Sequence, residues 1–64
     1  MKWKDSLDIA IALQEKHPEI DPRYIRFTDL FAWIHCLEGF DDNESNCNEQ
    51  VLEAIQMSWI NEMD

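Results

Sequence analysis

Four carboxylates, Asp29, Glu38, Asp41 and Asp42, lie on or just beyond one helix-forming stretch of this 64-residue chain. Carboxylate oxygens are hard ligands suited to oxygen-preferring divalent ions. Asp41 and Asp42 follow a helix end, where the dipole already contributes negative potential, so a nearby cation relieves repulsion. The same strip suits a basic protein surface. Its bland alternative is a solvated face that keeps a small protein soluble. Phe31 lies about 100° around the helix from Leu30. That places it beside the acids as a candidate interface aromatic, with ordinary packing as the competing role.

The remaining chemistry is thinner. Asp5 and Asp8 are neighbours on one helical face. Their position in a first turn explains them as dipole partners, with cation binding secondary. His35 and Cys36 are adjacent, so their side chains diverge instead of converging on one ion, and Cys47 matches no zinc spacing with them. Cys36 is expected to be a free, partly buried thiol. There is no nucleophile, base and orienting group in a recognisable set, and a chain with one glycine has no phosphate-cradling loop. A non-enzyme is the expectation.

All five basic residues, Lys2, Lys4, Lys16, Arg23 and Arg26, precede Phe27, where five acids balance them. The net charge of −9 therefore falls on the segment from Phe27 to Asp64. That balance favours cationic partners and argues against nucleic acid and anionic membrane. Two cysteines do not make a disulfide scaffold, and no apolar run reaches membrane-spanning length. A cytoplasmic monomer is expected.

The elements that must position these groups are three helices, giving an all-α domain over residues 1–64. Asp5 or Ser6 starts the first, Ile9, Ala12 and Leu13 give its stripe, and Pro18 stops it. Trp3 is placed as a hydrophobic staple on its first turn. Asp21-Pro22 opens a single helical turn, and Tyr24 to Phe27 forms at most an isolated extended piece. Thr28 caps the second helix, Asp29 to Glu38, with Gly39 as its left-handed stop. Asn46 and Glu49 form a capping box for the third, whose stripe is Leu52, Ile55, Trp59 and Met63. The expected core is Ile9, Leu13, Ile20, Phe27, Leu30, Ile34, Leu37, Phe40, Leu52, Ile55 and Trp59, with Trp33 packed inside as well. The last two helices suggest a helix-turn-helix outline, but the third has no Lys or Arg for DNA phosphates.

The run Arg26-Phe27-Thr28-Asp29-Leu30, with Trp33-Ile34, Leu37-Glu38, Phe40-Asp41-Asp42, Asn48-Glu49 and Leu52-Glu53-Ala54-Ile55, resembles the IscX (YfhJ) family. Trp3, Asp5-Ser6 and Asp21-Pro22 extend the likeness almost to the start. The resemblance implies a modified winged helix and an accessory role in bacterial iron–sulfur cluster assembly. It further implies binding to the cysteine desulfurase IscS, whose pyridoxal phosphate stays with that partner, and weak binding of ferrous iron. No tightly bound cofactor is expected. On this basis Asp29, Glu38, Asp41 and Asp42 are metal candidates, and the same four with Phe31 are partner contacts. Cys36 and Gly39 stand where the family can carry acids, which lowers the local charge. An iron carrier or donor, and an acidic mimic that binds another basic protein, are the alternative functions.

Overall fold

The computed structural model describes residues 1–63; Asp64, counted above among the acids, lies outside them. Helix α1 spans Ser6–Lys16, α2 spans Phe27–His35 and α3 spans Glu49–Met63. Short 3₁₀ turns at Pro22–Tyr24 and Glu44–Asn46 interrupt the two connections. No strand occurs among the described residues, so the all-α expectation holds and no strand pair forms a wing. The connection from 36 to 48 also exceeds the three- or four-residue turn of a helix-turn-helix.

α1 buries Ile9, Ala10 and Leu13, and α3 buries Leu52, Ile55 and Trp59, in both cases at helical spacing. These two helices form the largest helix–helix contact. Leu30 and Ile34 of α2, with Leu37 just beyond it, complete the centre. Each such side chain contributes roughly 1.5–3 kcal/mol when fully removed from water. The Trp59 indole N–H donates to Gln14 Oε1 at 2.9 Å, so its polar edge is satisfied inside the α1–α3 contact. Gln56 Nε2 donates to the Pro22 carbonyl at 2.8 Å and ties the first 3₁₀ turn to α3.

Most of the expected core is buried, while Ile20, Phe27 and Phe40 are half-buried against it. Trp3 and Ala10 join the core although the periodicity did not place them there. Trp33 is only half-buried, packed between His17 and Trp59. Met63 is 42% exposed, so the apolar stripe of α3 ends before it.

Several boundaries differ from expectation. α2 begins at Phe27, and Leu30 N–H donates to the Arg26 carbonyl, leaving Thr28 exposed inside the first turn instead of capping it. Packing Phe27 against the core outweighs the modest stabilisation of a threonine cap. α2 ends at His35, earlier than Glu38. The Phe40 N–H donates to the Leu37 carbonyl, and Gly39 has φ +86°, a type II turn in which glycine takes the left-handed position. Glycine is needed there, but for a turn beyond the helix. Tyr24 belongs to the 3₁₀ turn and Phe27 to α2, so only Ile25 and Arg26 remain extended. The cap of α3 is Asn48, whose Oδ1 accepts from Val51 N–H at 2.9 Å. Asn46 lies in the preceding turn and bonds elsewhere.

Candidate functional site

The segment 1–3 runs alongside the loop 39–43 and is fastened to it by polar contacts. The Met1 ammonium donates to the Gly39 carbonyl at 2.6 Å, and Asp41 N–H donates to the Met1 carbonyl at 3.0 Å. Lys2 Nζ donates to the Asp41 carbonyl and stands 4.0 Å from Asp41 Oδ2. Trp3 is the centre of the seam. Its backbone N–H donates to Asp42 Oδ2 at 3.0 Å, and its indole N–H donates to the Asn43 carbonyl at 2.9 Å. Its ring meets Phe40 edge-on at 4.8 Å and stacks on Phe31 at 5.6 Å. A residue expected to staple one helix turn also joins α2 to the acidic loop.

The two adjacent aspartates of this loop do different things. Asp42 Oδ1 accepts from Asn43 N–H at 2.7 Å and from Asn46 Nδ2 at 2.9 Å, in addition to the Trp3 bond on Oδ2. Three donors stabilise its charged form and hold its carboxyl below the ordinary carboxylate range, with the Trp3 N–H as the largest cause. Asp42 is thus committed to the fold. The Asp41 side chain is 96% exposed, with Lys2 as its ion-pair neighbour. Of the pair it is the more open to solvent.

The other candidates are spread out. Asp29 is exposed in the first turn of α2, where the helix dipole favours it. Glu38 is exposed beyond the other end, lining a shallow pocket with Ala12, Glu15, Lys16 and Leu37. A helix rise of 1.5 Å per residue separates the two ends of α2 by on the order of 10 Å, too far for one ion to bind both acids. Among the described residues, no three His, Cys, Asp or Glu side chains are placed to hold a metal together. The acids therefore do not fit a preformed cage. Phe31 is half-buried, stacked on Trp3 and 4.5 Å from the His35 ring.

The cysteines also diverge from expectation. Cys36 is exposed: its N–H still donates to the Ala32 carbonyl, and it continues the helical face on which Asp29 and Ala32 are exposed. Cys47 is the half-buried thiol, and burial pushes its pKa up. Arg23 is paired with Asp21 through Nε at 3.0 Å and Nη2 at 2.8 Å, which lowers the Asp21 pKa. Folding therefore brings part of the basic N-terminal half against the acids. Lys2 meets Asp41, and Lys16 shares a pocket with Glu38.

A family model described as iron-sulphur cluster assembly matches residues 1–64. The chain belongs to this family, the IscX family. An uncharacterized protein of Pseudomonas aeruginosa is 52% identical over 64 residues, which cover 100% of this chain and 97% of that protein. Membership assigns the chain a role in iron–sulfur cluster assembly. No helix among the described residues is long and apolar enough to cross a membrane. Within this family member, sequence reasoning missed Trp3, Asn43 and Asn46 as the groups that set the acidic loop. An Asp-Asn pair with a second Asn four positions after the Asp was a usable turn signal. The Trp3 partnership, across 39 residues, left no local one.

Proposed function

We propose that the chain is a non-catalytic, cytoplasmic accessory protein that docks an acidic face onto the basic surface of the cysteine desulfurase IscS. Ferrous iron is its second ligand, held weakly by separate exposed carboxylates. Family membership supports the setting. The observation that carries the docking role is the exposure of Asp29, Glu38 and Asp41 on a segment whose own sequence has no Lys or Arg. Such a surface steers a basic partner and makes association sensitive to salt.

The test is calorimetric titration of purified IscS, anaerobically, at low and high salt, with and without ferrous iron. Asp41→Lys should weaken binding by about tenfold or more, a loss of about 1.4 kcal/mol or greater. Asp42→Lys is a poor probe, since it also cuts the Trp3 seam. Iron and IscS should each weaken the other's binding, because one face serves both. Absence of binding at every salt concentration would overturn the docking role.

A further inference from the structure

A shallow groove of about 310 Å³ opens to solvent between α2 and α3, lined by Phe27, Thr28, Phe31 and Leu52. Three of the four linings are apolar, and the size lies at the lower end for ligand pockets, suiting one large side chain better than a cofactor. Its Phe31 wall is already fixed. Phe31 stacks on Trp3 with ring planes 22° apart, and Trp3 is itself bonded to Asp42 and Asn43. Little ordering remains to oppose a ligand at that wall.

The two helices that form the groove are acidic, while Lys2 and Lys4 lie on the far side of Trp3 and Val51. α2 and α3 contain no Lys or Arg. Exposed Asp29 follows Thr28, exposed Glu53 follows Leu52, and exposed Glu49 stands one turn before Leu52 on the same face. Arg26, also exposed, is the nearest cation in sequence and lies at the start of α2. From this apolar slot with an acidic border we infer that the groove receives one large apolar side chain of a protein partner, flanked by Lys or Arg. This rests on the docking role proposed above and supplies its apolar anchor. Surface ion pairs contribute little by themselves, whereas a side chain buried in a rigid pocket dominates an interface.

Two measurements separate this inference from the docking role. In the first, the isotope-labelled protein is titrated at low salt with the capped peptides Lys-Lys-Leu-Lys-Lys and Lys-Lys-Ser-Lys-Lys. The leucine peptide should bind at least fivefold more tightly, with NMR shifts centred on Phe27, Phe31 and Leu52. Thr28→Arg, an exposed change whose folding is checked by circular dichroism, should abolish that difference. Thr28→Gln, bulk without charge, should reduce it. Equal affinities, no binding of either peptide, or shifts centred elsewhere overturn the inference. So does concentration-dependent self-association lost in Thr28→Arg, which would assign the groove to a second copy of the chain. In the second, IscS is titrated with wild type and Thr28→Arg, and a loss of tenfold or more is expected. Wild-type binding with less than a twofold loss refutes the groove and leaves the docking role intact. If wild type does not bind IscS, the docking role fails and the peptides alone decide the groove.

Discussion

The α1–α3 contact and the seam between residues 1–3 and 39–43 hold the same small protein together by opposite means. The first buries Ile9, Ala10, Leu13, Leu52, Ile55 and Trp59, with the indole-to-Gln14 bond as its main polar feature. The second relies on backbone and carboxylate hydrogen bonds around one buried ring, Trp3, and most of those bonds are exposed to water. Apolar burial gives stability that pH and salt barely alter. Exposed charge-assisted bonds contribute less and respond to both. The part of the molecule that presents Asp41 is therefore its more conditional part.

The largest expected effect breaks the apolar side. Trp59→Ala should cost about 3–5 kcal/mol, enough to unfold much of a domain this small, as read by urea denaturation. Gly39→Ala should be milder, about 1–2 kcal/mol, since a Cβ there meets no atom within 4 Å and only the left-handed backbone is strained. Its signature is local: hydrogen exchange should accelerate at the Trp3 indole N–H and the Asp41 N–H while Trp59 stays protected. Equal acceleration at Trp59 would mean that the two regions open as one unit.

Acid sharpens the contrast further. The folded pKa of Asp42 lies below its ordinary value of 3.8. Its contribution is therefore complete above the unfolded value and is lost as pH falls through the folded one. The Trp3 indole N–H resonance should titrate in that acidic window, and Asp42→Asn should remove the transition. Trp59, bonded to Gln14, should show no matching step while the fold persists. A shared transition would contradict the separation.

What was legible in the sequence follows the same division. Leu30 and Ile34, or Leu52, Ile55 and Trp59, announce themselves because burial on a helix repeats at a fixed interval. Ala10 escaped because a small side chain contributes little to such a stripe. Thr28 and Asn46 misled because local capping preference competes with the packing of Phe27 and with a better-placed Asn48. Cys36 was open to the same periodicity, because it shares the exposed face of Asp29 and Ala32, but its apolar character suggested burial. The four acids were visible as residues, but their unequal freedom was not. Asp42 is taken by Trp3, 39 positions away, while its neighbour Asp41 stays largely exposed.

The Gln14–Trp59 bond spans 45 positions, between the two helices that pack most extensively. Closing a flexible loop of that length costs about 3 kcal/mol in chain entropy beyond a constant. The buried face of α1 has its main partner only in α3, so on the ribosome the first helix waits, uncovered, for the last. Folding of this chain is consequently a late and nearly simultaneous event. A stalled or truncated product without α3 exposes Ile9, Ala10 and Leu13 together, the kind of surface that chaperones and proteases recognise.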